Sequence, residues 1–206
     1  MSPSHYGVLE INHELPTETE VPAYTVYLFA DFPQPAPIPL APGEELLLPP
    51  GLHLQRKLAA PGIRRLHFLP GLHEIEEQEL HLRSGVDLFL DRGAVIRSRL
   101  RGEHVSGVTI AGQGIFDGTT VIRPAGVNHL SDDGRPGFFS FLFGSDITID
   151  GVMIYNPDFW NIVPVGVDRF ILRNHKALSW IVNNDGLQPR SCNNLLAEHC
   201  FLKCND

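Results

Sequence analysis

The first sixteen residues, MSPSHYGVLEINHELP, contain neither a basic stretch nor an apolar core, so no export leader is visible there. No apolar run approaches the ~20 residues that a membrane-spanning helix requires, and no membrane association is expected. Bases are outnumbered, 16 against 24 acids, for a formal net charge of −8. That disfavours a nucleic-acid binder, which would carry a basic stripe. It does not fix the sign of a local groove. Cysteine is scarce: Cys192, Cys200 and Cys204 are the only three, all within the last fifteen residues. An odd count without a leader points to reduced thiols. A cytoplasmic location is therefore expected, or a secreted or periplasmic one if the native N-terminus differs. No metal or organic cofactor is expected either, since the ten histidines include no His-Glu-x-x-His and HEIEEQELH (73–81) has no ligand spacing.

Proline and glycine, by contrast, are plentiful, and they divide the chain. Nine of the 17 prolines lie between Pro16 and Pro50. Proline fixes φ and removes a donor, so this region holds neither regular helix nor central strand. Only AYTVYLFA (23–30) and EELLLP (44–49) read as strands there. Residues 1–62 are expected to form a small, irregular β-rich N-terminal segment, and residues 63–206 a second unit with its own rhythm.

That rhythm is a repeat. GVDLFL (85–90), GVTIAG (107–112), DITIDG (146–151), RFILRN (169–174) and NLLAEH (194–199) align on Val86, Val108, Ile147, Phe170 and Leu195. The intervals are 22, 39, 23 and 25 residues, and Pro164 stands to Phe170 as Pro189 stands to Leu195. Period-2 alternation marks strands with one buried face. A repeat in the twenties with few helix signals marks a solenoid. The long interval holds TTVIRPAGVNHLSDDGRPG (119–137), whose polarity and Gly/Pro content predict an extruded loop. A β-sandwich would space its strands at 8–12 residues, and a leucine-rich horseshoe would need a consensus that is not present. The fold expected is all-β, a right-handed parallel β-helix behind the N-terminal segment.

In such a coil, residues one period apart stack about 4.8 Å apart. Asp185 and Asp206 are 21 apart, so both carboxylates can emerge from one face of neighbouring rungs. Two carboxylates that close push one another's pKa apart, which suits acid–base work on a glycosidic bond. Asparagine and aspartate also serve β-helix turns and ladders, and spacing alone favours that structural role. Trp160, 25 residues before Asp185, has the same ambiguity: a sugar platform, or the commoner packing rung.

The ordered blocks NNDGLQPRSCNNLLAEHCFLKCND (183–206), FLPGLHEIEEQELHLRSGVDLFLDRGAVIRSR (68–99), VTIAGQGIFDG (108–118), RPGFF (135–139) and ITIDGVMIYNPDFWNIVPV (147–165) together resemble the polygalacturonase family of glycoside hydrolases. YLFADFP resembles the end of an accessory domain found ahead of some bacterial members. The resemblance implies a pectin lyase-like β-helix that hydrolyses a polysaccharide, polygalacturonate-like, without a cofactor. It implies that Asp206 is the general acid, that Asp185 helps position and deprotonate the attacking water, and that Asn183 lies beside the substrate cleft. Asn205 replaces the family's glycine, and Asn184 stands where threonine is common. The second aspartate of the pair, the Gly-His-Gly turn and the Arg-x-Lys segment are not among the 206 residues, so a longer gene product is expected. Family members invert the anomeric centre, for which carboxylates one rung apart look close. The alternatives are a non-catalytic glycan-binding β-helix or a polysaccharide lyase, whose acidic cluster or basic eliminating residue is not seen.

Overall fold

A short strand with one apolar face cannot bury that face alone, and this chain stacks coil on coil to do so. The computed structural model describes residues 5–10, 25–31, 36–122 and 137–205. Its first face is a parallel seven-stranded sheet of Glu45–Leu48, Arg65–Phe68, Asp87–Leu90, Ser106–Gly112, Ser145–Asp150, Asp168–Arg173 and Asn193–Glu198. The register stacks Leu46, Leu66, Leu88, Ile110, Ile149, Leu172 and Ala197 in one inward column. From Leu66 to Leu172 these side chains are at most 3% exposed. Burying each aliphatic side chain is worth roughly 1.5–3 kcal/mol. Val108, Ile147, Phe170 and Leu195 pair directly, so the intervals of 39, 23 and 25 are each a single rung.

Of the loop expected in the long interval, residues 123–136 lie outside the described residues. Two further faces close each coil. Gly71–His81 and Ala94–Glu103 each run across both, and the first is broken by a bulge between Glu74 and Glu79. Higher up they separate. The second face continues as Ile115–Asp117, Met153–Tyr155, Lys176–Leu178 and Phe201–Lys203. The third continues as Phe139–Leu142 and Ile162–Val165, then as single bridges from Ile162 to Leu187 and from Val165 to Arg190.

Corners repeat as faithfully as strands. Gly85, Gly107, Asp146, Arg169 and Asn194 all enter the first face with φ between 52° and 70°. Glycine, aspartate and asparagine tolerate that left-handed conformation, whereas arginine does so at a cost. Arg169 is held there by Asp146 one rung below, its Nε and Nη2 donating to both carboxylate oxygens at 2.6 and 2.7 Å. That hydrogen bond lowers the Asp146 pKa to about 2.

Gly112 is a stricter position. Its φ is 127°, and a Cβ there would lie 2.0 Å from the Leu90 carbonyl oxygen. Backbone cannot yield as a side chain can. Gly112→Ala is expected to cost about 3 kcal/mol or more in urea unfolding, against about 1 kcal/mol for Gly62→Ala, where φ is 81° but the space is open. Equal losses would show that the φ value alone sets the penalty.

The parallel stack begins earlier than a boundary at residue 63 would place it. Glu45–Leu48 already pairs with Arg65–Phe68, and Gly51–His53 pairs with Gly71–His81. The proline-rich composition hides this rung, because Pro49 and Pro50 fall between the two short strands, where no ladder donor is needed. Ahead of the stack, His5–Glu10 and Thr25–Ala30 form an antiparallel pair, the first strand being one that composition did not indicate. The pair rests on the upper second face through Phe29 on Phe201 at 5.4 Å and Tyr27 on Trp180 at 6.2 Å, and Asp31 just after it reaches the buried Lys176 at 2.5 Å.

Candidate functional site

The third face carries the segment that follows Asp185. Inward it stacks Leu80, Leu100, Phe139, Ile162 and Leu187, which anchors the sheet. Between these rungs the opposite alternation sets His81, Arg101, Ser140 and Val163 in one column, and the two bridges bring Gln188 opposite Val163. Asp185 sits on the turn that leads into this face.

Two fully buried asparagines fix that turn. Asn161 Nδ2 donates to the Asn184 carbonyl at 2.8 Å and to the Asp185 carbonyl at 3.1 Å, while the Asn161 amide donates to the Asp185 carbonyl at 2.8 Å. Asn184 Nδ2 donates to the Pro157 and Phe159 carbonyls at 3.0 and 3.2 Å, and its amide to the Asn205 carbonyl at 2.8 Å. An amide side chain supplies two donors to nearby backbone carbonyls, which is why asparagine suits both positions.

The carboxylate of Asp185 is held asymmetrically. Oδ2 accepts from Gln188 Nε2. Oδ1 is closed off from bulk solvent and has no hydrogen-bond partner among the described residues. An enclosed carboxylate oxygen without a donor is costly, so a water or hydroxyl admitted to it would be held firmly. Cys204 lies close by. Burial first, and then the Asp185 charge, push its thiol pKa up, partly offset by Ser179 and Lys203. It remains a neutral neighbour and no nucleophile. Burial likewise raises the Cys200 thiol, which packs against the core.

The other sequence candidates fall as follows. Trp160 is one rung from Asp185, since the bridge from Ile162 to Leu187 fixes a 25-residue period there. Its ring stacks on Phe159 at 4.8 Å and lies under the Arg190 guanidinium at 5.1 Å. Those contacts occupy ring surface that a sugar would use. Asn183 is exposed, with φ of 61°, at the start of the turn. Asp206 lies outside the described residues. Sequence reasoning did not single out Asn161, Gln188 or Arg190. Asn184 was noted only as a departure from threonine. The 25-residue period, extended backwards from Gly186, would have brought Asn161 to the same rung.

No family model matches the chain. Over 74 residues, 35% of its length, it is 28% identical to a Vitis vinifera protein named "Probable polygalacturonase", and the match spans 15% of that protein. A solved structure from Parabacteroides merdae, described as a candidate glycosyl hydrolase, aligns with 67% of this chain and 80% of its own at 17% identity and a TM-score of 0.47. Stacked parallel sheets with one sequence-matched stretch define the class as a parallel β-helix. More narrowly, it is a parallel β-helix with one stretch similar to a polygalacturonase.

Proposed function

We propose that this chain carries the cleavage face of a glycoside hydrolase acting on a polysaccharide laid along the third face. The carrying observation is the Asp185 carboxylate, one oxygen tied to Gln188 and the other enclosed without a donor, on backbone clamped by Asn161 and Asn184. In this reading a water donates to Oδ1 and is thereby aimed at the anomeric carbon. As its oxygen forms the new C–O bond, its proton passes to Asp185. The bond to the leaving sugar breaks, and that oxygen takes a proton from Asp206, the role the polygalacturonase resemblance gives it. Asn183, exposed at the start of the turn, would touch the bound chain in this reading.

Incubation with polygalacturonate and with an uncharged galactan tests the proposal. Reducing ends are expected to accumulate without ultraviolet-absorbing unsaturated ends. Unsaturated ends would mean elimination. Binding with no new ends would mean a glycan-binding module.

A further inference from the structure

We infer that the third face holds a second sugar-binding pocket, about two rungs from Asp185, built for an uncharged ring. It rests on the glycan reading of this face. The pocket measures about 160 Å³ and is walled by His81, Arg101, Glu103 and Ser140, with Leu82 and Leu142 as its apolar sides. An apolar cavity of about 150 Å³ takes one benzene ring, so a pyranose with its hydroxyls would be partly enclosed here. Ser140 pairs with Val163, which lies opposite Gln188, so at ~4.8 Å per rung the pocket is roughly 10 Å from the Asp185 turn.

Two observations make this a built site rather than a gap between strands. Ser140 is 1% exposed, and its Oγ has no hydrogen-bond partner among the described residues. A buried hydroxyl left unpaired costs about 1–3 kcal/mol, which a ligand hydroxyl would recover. The walls also mix hydrogen-bonding groups with two leucines. A pyranose presents the complementary surface, hydroxyls at its edge and C–H groups on its faces.

The charges exclude a carboxylated ring. Arg101 would be the natural partner of a uronate, but its Nε donates to Glu79 at 3.1 Å and its Nη1 to the Gly137 and Phe138 carbonyls at 2.6 and 3.2 Å. Glu79 thus matches its charge, and the same carboxylate reaches His81 at 3.4 Å. Among the described residues, the charge left facing the pocket is the exposed Glu103, which repels an anion.

Calorimetric titration of the whole chain carrying Asp185→Asn, with a (1→4)-linked α-galacturonate trimer and its uncharged α-galactose counterpart, tests the pocket. The uncharged trimer is expected to bind at least tenfold more tightly. Ser140→Val should weaken it about tenfold, and Glu103→Gln should narrow the gap by improving the acidic trimer. Valine is chosen because Val163 already occupies the next rung of that column. If Ser140→Val fails to fold, the exposed Glu103→Gln carries the test. Tighter binding of the acidic trimer, or uncharged-trimer affinity unchanged in a folded Ser140→Val, would overturn the inference. Binding that depends on Ser140 in a chain that cleaves nothing would sink the hydrolase reading and leave the pocket. Cleavage with Ser140-independent binding would do the reverse.

Discussion

Acidification from pH 7 to pH 4 is expected to strip about 3 kcal/mol from the folding stability through one side chain, His175. This histidine sits at the corner between the first and second faces, with no exposed surface. Neither ring nitrogen reaches hydrogen-bonding geometry with a partner among the described residues. Burial drives its pKa down from 6.5 to about 3; the nearby Val152 backbone offsets part of that drop, and the Lys176 charge adds to it. A depressed folded pKa means the unfolded chain binds the proton first. Stability is therefore intact above pH 6.5, falls as pH drops below it, and levels off near pH 3. Urea unfolding across this range should show the slope, and His175→Leu should flatten it by roughly the same 3 kcal/mol, since the apolar replacement breaks no ring hydrogen bond. An unchanged slope in His175→Leu would assign the loss to carboxylates instead.

Cutting the buried ion pair between Arg99 and Asp158 should be similarly severe. Arg99 Nη2 donates to Asp158 and to the Ile122 carbonyl, and the two charged side chains are only 8% and 10% exposed. The partners are 59 residues apart and tie the long strand Ala94–Glu103 to the turn before Ile162–Val165. Arg99→Leu takes the guanidinium away from a buried carboxylate, for an expected loss of about 3–5 kcal/mol. Replacing both partners by leucine should recover much of it, because the desolvated pair is then removed as a unit. The Asp158 turn also delivers Pro157, Phe159 and Asn161 to Asn184 and Asp185. Whatever enzyme activity the chain has should therefore fall more than the global stability loss predicts. A double variant as damaged as the single one would show that the pair acts by attraction and not by mutual compensation.

The core columns were legible because a parallel coil demands an apolar residue at each fixed return. Val108, Ile147, Phe170 and Leu195 were aligned by interval alone, and the structure pairs them. The hidden features are those where one side chain stands in for a rule. Arg169 takes a corner position that glycine, aspartate or asparagine fill elsewhere, because Asp146 grips it. Glu45–Leu48 reads as a strand, but its place in the parallel stack is masked by flanking prolines that lie outside the ladder. At the site, the Asp185 segment could be read from its motif. Its clamp could not, since Asn161 and Asn184 act on backbone carbonyls, and a carbonyl's need for a donor leaves no sequence signature.

The most direct test of the account is the rate of reducing-end release from the preferred polysaccharide by Asp185→Asn beside the native chain, with binding measured on both. The account predicts that binding persists while the rate falls by about 10²–10⁴-fold, the range a general base contributes. A variant that cleaves as fast as the native chain would contradict it, and would remove Asp185 from the chemistry.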